Sequence, residues 1–538
     1  MASTLFRGGR VHSPADPFAT ALVVDGDTVA WVGQDGAADQ HRDGVDEVVE
    51  LDGAWVAPAF VDAHVHTTST GLHLTGLDLS GASTLAEALA ALEAQARQVR
   101  GGVVLGHGWD ETRWPEGRPP TGEELDRASY GGVVYLSRVD VHSCVASSAL
   151  LAIAPEAGAV DGFSPDGWLS RAAHHAVRRI ALDSVSPEQR RRAQRTALQQ
   201  AASLGIGMVH ELGGPQISSP DDFTDLLTTV GPESGVEVVG YWGEGGGPDV
   251  ALSLGARGAA GDHFVDGAIG SHTAFLREPY ADADTRGACY TDAATIRDHV
   301  AACSLAGVQA GYHVIGDGAM DVVVAGFREA VAKVGADVVR RPRHRLEHVE
   351  MVDDDAIELL ADLGVIASVQ PVFDALWGGS ESMYARRLGP ERAARLNPFA
   401  RMATAGVSLA FGSDAPVTPL APWAAVSAAV HSHEPGAHWT PRGAFAAHTR
   451  GGWRAAGEES GGVLAPGTPA SLAVWDAGAL VIEAPDDRVA AWSTDPRAGV
   501  PGLPSVEPDA PTPTCLRTVV RGRTVYSVDS TAHLGRTT

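Results

Sequence analysis

Two histidines separated by one residue, His64 and His66, close the apolar stretch FVDAHVH near the start of the chain. Alternate residues of a β-strand point to the same side, so a strand here would present both imidazoles together. Two neutral imidazoles held side by side form half of a divalent-metal site. Ordinary polar residues at a strand end would give the same pattern, so the pair by itself leaves both interpretations open.

Further polar residues end other apolar, strand-like runs. His313 ends QAGYHV, His348 ends RLEHV and Asp414 ends LAFGSD. In barrel enzymes the carboxyl ends of the parallel strands meet at one face, and the active site lies there. A single histidine at such a place is often a core residue bonded to a neighbour. Together, however, these residues favour one metal centre, whose predicted ligands are His64, His66, His313, His348 and Asp414.

The elements that would position these residues alternate between strands and helices. Amphipathic helices fit between the strands, as in SPEQRRRAQRTALQQAASLG, with Ser186 as N-cap, Gln189 completing a capping box and Gly205 ending the helix. Repeated strand–helix units predict a parallel sheet, and eight of them close into a TIM-like (β/α)8 barrel. The eight strands are predicted in FVDAHVH and in the runs 205–214, 236–243, 262–271, 307–318, 344–351, 364–373 and 406–416.

Three regions are predicted. Residues 1–57 and 463–538 are rich in short strands and turns, and we expect them to form one small β-sandwich domain from both chain termini. Two unrelated β extensions would also fit. Residues 58–71 and 186–462 would form the barrel. Residues 72–185, with a helix over 84–100 and two further strands, would be an α/β insertion after the first barrel strand.

Composition limits the possible partners. A formal net charge of −27 over 538 residues argues against nucleic acid or an anionic membrane surface. No run of about 18 apolar residues occurs, so no membrane span is expected. The first residues lack a signal-peptide core and the four cysteines are widely spaced, which predicts a cytoplasmic protein with reduced thiols. We expect a small-molecule substrate, and a homodimer is an alternative to a monomer.

The set of residues resembles the metal signature of the amidohydrolase superfamily, in which H-x-H follows strand 1, a histidine follows strands 5 and 6, and an aspartate follows strand 8. The chain is most similar to the branch that contains YtcJ-like proteins and N-substituted formamide deformylases, amidohydrolase family 3. The resemblance spans nearly the whole chain and is carried by PAFVDAHVH, VDGAIGSHTAFL, HVIGDGAMDVVV, RLEHVEM, SVQP, FGSDAPV and GVLAPGTPASLAVWD.

This resemblance implies hydrolysis of a non-peptide carbon–nitrogen bond in an amide, formamide or cyclic amide, with one or two divalent ions, zinc being the expected metal. Zinc held by neutral imidazoles lowers the pKa of water towards about 7. Asp414 would take the proton of that water and pass it to the leaving nitrogen. His348 and His313 would hold metal, and the one further from it would stabilise the developing oxyanion.

The sequence departs from this family at strand 4, where many relatives carry a carboxylated lysine that bridges two metals. Asp262 stands in the lysine position, and the only lysine of the chain, Lys333, lies in the helix after His313. A carboxylated-lysine bridge is therefore excluded by composition. Asp262, Asp266 or Glu211 would bridge instead, or the site holds one ion. Asp262 would also fit a solvated residue at the start of a strand.

Substrate-binding residues are predicted more coarsely. Segments 106–120 and 137–150 of the insertion are expected to form a lid over the barrel mouth, although ordinary loop packing would also fit. Two further polar residues stand at barrel-strand ends. The predicted substrate-binding residues are Trp109, Asp110, Asp140, His142, His272 and Gln370.

Two other functions remain open. A deaminase of the same superfamily would attack a heterocyclic amine and typically needs a glutamate in an H-x-x-E pattern after strand 5. The sequence HVIGDG offers Asp317 four residues after His313 instead. A non-catalytic scaffold would have lost its metal ligands, whereas all the ligand positions carry ligand-type residues here.

Overall fold

The computed structural model describes residues 3–138, 143–433, 439–481 and 501–528. The chain divides into two compact units, Met1–His66 with Leu198–Thr538, and Thr67–Ala197. Among the described helices, none has the length and apolar character that a membrane crossing requires.

The first unit contains an eight-stranded parallel sheet whose strands follow one another in chain order. A parallel bridge between Val65 and Ala415 joins its two edges, supported by backbone hydrogen bonds from Asp414 N to His64 O at 2.8 Å and from His66 N to Ala415 O at 3.0 Å. The predicted (β/α)8 barrel is confirmed. Barrel strands 1 to 8 are Phe60–Val65, Ile206–Gly213, Glu237–Trp242, Gly258–Ala259, Gln309–Val314, Arg345–His348, Ile366–Val369 and Ser408–Phe411.

Barrel strand 4 differs from the prediction, which placed it at 262–271. It covers only Gly258–Ala259, and beyond it the chain forms a single bridge, from Phe264 to His313, before the helix that starts at Ala293. Gly261 has a φ of +111°, a backbone conformation that only glycine adopts readily, and it ends the regular strand. Asp262 therefore lies beyond the carboxyl end of strand 4 rather than at its start.

Helices follow the barrel strands. The helix Pro187–Ser203 has the predicted capping box, in which Gln189 N donates to Ser186 Oγ at 3.2 Å and Ser186 N donates to Gln189 Oε1 at 3.3 Å. The other helices of this region are Pro220–Asp225, Leu226–Val230, Gly231–Ser234, Asp249–Ser253, Ala293–Ala306, Asp317–Val334, Ala336–Arg340, Asp354–Leu363, Pro371–Trp377, Met383–Leu388, Pro390–Ala393, Phe399–Thr404, Pro422–Val430, Pro441–Ala446, Ala447–Gly451 and Gly452–Ala455.

Both ends of the chain build two further sheets, as expected for a small β-sandwich domain. Their apolar faces share one core, to which Phe6 and Leu22 contribute from one sheet and Val56, Leu472 and Val519 from the other. The four-stranded sheet has the order Thr28–Gly33, Ala21–Asp25, Ser3–Arg7, Glu47–Glu50, and the five-stranded sheet the order Arg10–Val11, Trp55–Pro58, Leu472–Asp476, Thr514–Val520, Arg523–Ser527. Shorter elements are Asp35–Ala38, Asp39–Gly44, and the paired strands Leu480–Val481 and Leu503–Pro504.

The second unit follows barrel strand 1 in the sequence and has its own sheet and core. Sequence patterns predicted two of its five strands and its longest helix, which begins after Thr84 as its N-cap. The sheet order is Trp168–Ser170, Ser143–Ala146, Val134–Arg138, Val104–Trp109, Leu77–Asp78, and the helices are Thr67–Thr75, Leu85–Val99, Glu111–Arg113, Gly122–Ala128, Ser148–Ile153, Pro155–Ala159 and Arg171–Asp183. The exact domain boundaries given above remain predictions.

Candidate metal centre

Six buried side chains meet at, or just beyond, the carboxyl ends of barrel strands 1, 4, 5, 6 and 8. Each is at most 8% exposed. Strand 1 supplies two of them because alternate residues share a face, and each of the other strands supplies one. The six residues are His64, His66, Asp262, His313, His348 and Asp414.

The two aspartates lie between the imidazoles. Asp414 Oδ1 is 3.4 Å from His64 Nε2 and 3.1 Å from His66 Nε2. Asp262 Oδ2 is 3.1 Å from His66 Nε2, whereas its Oδ1 is 3.6 Å from His313 Nδ1 and 3.9 Å from His348 Nε2. The carboxylate of Asp262 thus borders both halves of the cluster.

The outward-facing nitrogen of each histidine has an oxygen partner. Carbonyl and carboxylate oxygens only accept hydrogen bonds, so these ring nitrogens donate, and in the neutral ring the lone pair is left on the nitrogen that faces the cluster. The four contacts are His64 Nδ1 to Glu347 Oε2 at 2.9 Å, His66 Nδ1 to Leu212 O at 3.0 Å, His348 Nδ1 to Gln370 Oε1 at 2.8 Å and His313 Nε2 to Gly267 O at 3.4 Å.

Within the described residues, five inward-facing atoms of the cluster are buried without a hydrogen-bond partner. Leaving a buried polar atom unpaired costs about 1–3 kcal/mol, so five in one place need an explanation. Imidazole nitrogens and carboxylate oxygens are the ligands that zinc and similar divalent ions take. The donor set fits a metal site. The five atoms are His64 Nε2, Asp262 Oδ1, His313 Nδ1, His348 Nε2 and Asp414 Oδ1.

The charges of the cluster attract cations. Burial lowers the pKa of a histidine, yet the adjacent carboxylates of Asp262 and Asp414 raise the pKa of His66 to about 10 and also raise the pKa of His64. Burial raises the pKa of a carboxyl group, but the imidazoles lower the pKa of Asp262 and of Asp414 below the ordinary range. Two ionised carboxylates at the centre need positive charge, which protons or a metal ion can supply.

Three residues at the strand ends have a backbone conformation that is unusual for a side-chain-bearing residue. His348 has a φ of +70°, Val349 of +49° and Asp414 of +56°. Such conformations cost about 1–3 kcal/mol each and are concentrated at functional sites. Hydrogen bonds hold them here, from Val349 N to Val314 O at 3.0 Å and from Asp414 N to His64 O at 2.8 Å.

The three residues considered as a bridging carboxylate occupy different places. Among the described residues, the groups that could share an ion are His64–His66–Asp414 and His64–Asp262–His348. Asp266 is outside them, because its carboxylate accepts hydrogen bonds from the backbone amides of Ile315 at 3.0 Å and of Gly316 and Phe275 at 2.8 Å each. Glu211 is buried on barrel strand 2 and is also outside both groups.

Two of the residues proposed to bind substrate lie in the barrel unit. Gln370 is buried beside His348, and its Oε1 accepts a hydrogen bond from His348 Nδ1. His272, in the long segment after barrel strand 4, pairs through Nε2 with Asp282 Oδ1 at 2.9 Å. Lys333 pairs with Asp298 at 2.7 Å on the surface.

The other proposed substrate residues lie in the insertion. Trp109 is fully buried in the core of that unit, where its Nε1 donates to Leu136 O at 2.9 Å. It ends the strand Val104–Trp109 and packs with the other apolar residues of that core, and its role in substrate binding stays a prediction. Asp110 lies 3.4 Å from Arg138. Asp140 and His142 lie outside the described residues.

Sequence reasoning missed two charged residues behind the cluster, Arg345 and Glu347 on barrel strand 6. Both are fully buried, and Arg345 Nε donates to Glu347 Oε1 at 2.6 Å. Although burial alone would raise it, the guanidinium of Arg345 and the contact with His64 lower the pKa of Glu347 to about 2. Charged residues at i and i+2 within a buried strand are the signal that could have found them.

A model of the amidohydrolase family matches residues 47–526 of the chain. The chain belongs to that family. Protein LONG AFTER FAR-RED 3 of Arabidopsis thaliana is 28% identical over 449 residues, which cover 77% of this chain and 75% of that protein. Protein YtcJ of Bacillus subtilis is 27% identical over 429 residues, covering 72% and 76%. The N-substituted formamide deformylase of Arthrobacter pascens is 25% identical over 446 residues, covering 76% and 80%.

Among solved structures, an uncharacterized metal-dependent hydrolase of Pyrococcus furiosus superposes with a TM-score of 0.74 at 25% identity and covers 88% of this chain and 98% of its own. The predicted membership of the YtcJ-like branch of the amidohydrolases is confirmed. Family and neighbours together support a metal-dependent hydrolase.

Proposed function

We propose that this amidohydrolase cleaves a non-peptide carbon–nitrogen bond in a small amide, formamide or cyclic amide, using divalent metal, with zinc as the best fit. One observation carries the proposal. Five buried ligand atoms, one of them from Asp262, converge without hydrogen-bond partners, and they come from the ends of four barrel strands and from the segment after strand 4. The relationship to a protein named as a formamide deformylase supports a formamide within this substrate class.

Two ion positions would use all six ligands. His64, His66 and Asp414 would hold one ion, and His313 and His348 a second. Asp262 would serve both, because one of its oxygens faces His66 and the other faces His313 and His348. A carboxylate in this place would do what a carboxylated lysine does in many relatives, and the one lysine of this chain lies on the surface.

The bound metal would supply Lewis acidity, which acidifies water and polarises a substrate carbonyl. Asp414 would accept a proton from the attacking water at Oδ2, because Oδ1 would be occupied as a ligand, and deliver it to the leaving nitrogen. His348 would act as a metal ligand, since its Nδ1 donates to Gln370 and the neutral ring carries no proton on Nε2. A role for His348 or His313 in stabilising an oxyanion would require the imidazolium form.

The deaminase alternative lacks a suitable residue to move protons. Asp317 is the acid that HVIGDG offers in place of the expected glutamate, and its Oδ1 accepts hydrogen bonds from the backbone amides of Arg277 and Gly318 at 2.9 Å each. A carboxylate engaged in this way holds a loop against the start of a helix rather than moving protons. A scaffold without metal would not account for the five buried ligand atoms that lack hydrogen-bond partners.

The test combines metal analysis with a substrate panel. Purified protein would be assayed for bound metal and for hydrolysis of N-formyl, N-acyl and cyclic amides, beside His64→Ala and, as a control, His41→Ala in the β-sandwich. We expect His64→Ala alone to lose both metal and activity. Ammonia release from heterocyclic amines with every amide inert would favour the deaminase, and a metal-free wild-type protein would favour the scaffold.

A further inference from the structure

A buried arginine–glutamate pair lies directly behind His64. Glu347 Oε2 accepts from His64 Nδ1 at 2.9 Å, and Arg345 binds Glu347 through both oxygens, at 2.6 Å from Nε and 3.1 Å from Nη2. The side chains of all three residues are inaccessible to solvent. The two-point contact fixes the plane of the carboxylate and hence the direction in which it faces the imidazole.

Arg345 is itself held on every side. Its Nη2 donates to Ala63 O at 2.7 Å and to Ser368 Oγ at 3.1 Å, its Nη1 lies 3.1 Å from His210 Nδ1, and its guanidinium carbon is 4.2 Å from the ring centre of Tyr241. Ala63 is the residue before His64. One guanidinium therefore anchors both the backbone next to His64 and, through Glu347, the His64 ring.

The stability of the fold does not explain why Arg345 and Glu347 form a buried ion pair. Replacing a buried ion pair by apolar side chains of similar volume is often neutral or stabilising, so burying one is weak evidence of a structural role. The position of the pair points instead to a role at one particular histidine of the cluster. Of the four cluster histidines, His64 is the one whose outer nitrogen meets a carboxylate, while the others meet a backbone carbonyl or the amide of Gln370. His64 is also common to both groups that could share an ion.

We propose that Glu347, oriented by Arg345, is a positioning residue that sets the metal affinity of the cluster through His64. An anionic acceptor on Nδ1 draws that proton away and makes Nε2 a stronger donor to a cation, and it also locks the ring in the ligating tautomer. Arg345 balances the charge and holds the carboxylate in place, so it acts through Glu347. The inference rests on the proposed metal-dependent function.

The experiment measures metal affinity by competition with a chromophoric chelator, using Zn²⁺, together with the absorption spectrum of the Co²⁺-loaded protein. Glu347→Gln removes the charge but keeps an oxygen that can accept the hydrogen bond from His64 Nδ1. Gln370 is a neutral acceptor of this kind for His348. We expect the dissociation constant to rise about 10- to 100-fold, which is the usual effect of losing such a partner, with a shifted Co²⁺ spectrum.

A second variant separates affinity from folding. Glu347→Gln leaves Arg345 as an uncompensated buried charge and is expected to lower the melting temperature of the metal-free protein. Arg345→Met combined with Glu347→Gln removes both charges, so the melting temperature should recover while the affinity loss stays near that of Glu347→Gln alone. Tyr241→Phe is the control: it removes a hydroxyl bonded to Gln309 and Ala455 but keeps the ring beside Arg345, and its affinity should stay within about twofold of wild type.

The outcomes are distinct. A wild-type protein that binds no metal would remove the proposed function itself. If the wild type binds metal and Glu347→Gln binds it with the same affinity, the role of Glu347 would be overturned while the proposed function would stand. Recovery of affinity together with melting temperature in the double variant, or an equal affinity loss in Tyr241→Phe, would show that the pair acts only through stability and would also overturn it.

Discussion

Replacing Asp262 by asparagine tests whether this carboxylate joins two ion positions. The change removes one negative charge and keeps the shape of the side chain. Asp262 is buried, and its oxygens lie within 3.1–3.9 Å of nitrogens on all four cluster histidines. We expect Asp262→Asn to bind about one equivalent of Zn²⁺ where the wild type binds two, because His313 and His348 are left without an anionic partner.

The size of the effect follows from the geometry. Asp262 Oδ1 lies 3.6 Å from both His64 Nε2 and His313 Nδ1, the atoms that would hold the ions. At this separation two unit charges interact with about 4–5 kcal/mol at an effective dielectric constant of about 20. Removing the charge should therefore weaken Zn²⁺ binding at both positions by about a thousandfold. The first position keeps the carboxylate of Asp414 beside His64 and His66, so the second is the one expected to empty.

Isothermal titration of the metal-free protein, with metal content measured on the same samples, would give both the stoichiometry and the affinity. Asp266→Asn is the matched control, since Asp266 is a buried carboxylate four residues away whose oxygens bind backbone amides instead. It should lower the melting temperature and keep the stoichiometry. Two equivalents bound by Asp262→Asn with wild-type affinity would refute the bridging role.

Three further outcomes are expected. Asp414→Asn, assayed at Zn²⁺ concentrations that keep the centre loaded, should lower kcat by about 10²- to 10⁴-fold with little change in KM, as lost proton transfer requires, and a loss under tenfold in steady-state kinetics would contradict this. Gln370→Leu leaves His348 Nδ1 without its acceptor and should weaken Zn²⁺ binding about tenfold in chelator competition, whereas unchanged binding would remove Gln370 from the metal centre. In the insertion, a hydrogen bond from Arg118 lowers the pKa of Glu124 to about 2, so its ionised form stabilises the fold above the ordinary pKa of 4.5 and this contribution is lost as the pH falls towards 2. Urea unfolding should accordingly show Glu124→Gln to be less stable than wild type at pH 7, with the gap narrowing between pH 5 and 3; a gap independent of pH would exclude the ion pair as its cause.

The sequence predicted the barrel and most of the cluster because both depend on local signals. Each ligand ends an apolar run, and parallel strands bring their carboxyl ends to one face, so strand-end position was sufficient to group His313, His348 and Asp414 with the first pair. No strand pairing had to be known. The family resemblance then supplied the order of the ligands.

Strand 4 could not be placed in the same way. The run from Asp262 to Ser271 contains the short apolar stretches of a strand, but Gly261 interrupts the ladder before it and Asp266 binds backbone amides of neighbouring segments instead of extending the sheet. Apolar stretches are therefore present in this part of the sequence without a regular strand. The consequence is favourable to the site, because the interruption moves Asp262 from the predicted strand start to the ligand end of the barrel.

Contacts between distant segments were beyond sequence reasoning. Glu347 meets His64 across 283 positions of the chain, and only the barrel closure and the register of strand 6 bring them together. The burial of Trp109 was hidden for a related reason, since polar residues surround it in the sequence whereas the structure packs it in the core of the insertion. Short strands such as Leu77–Asp78 have too few residues for a pattern to emerge.

The same features that make the centre recognisable also couple it to folding. His348, Val349 and Asp414 hold unfavourable backbone conformations at the ends of strands 6 and 8, and the ligand atoms beside them are buried and unpartnered. The backbone strain and the loss of hydrogen bonds both destabilise the folded chain and are absent from the unfolded one. A cation bound only by the folded protein offsets them, and its contribution grows with its free concentration relative to its dissociation constant. It follows that any residue that sets metal affinity, Glu347 included, changes the stability of the loaded protein even where it leaves the metal-free fold untouched.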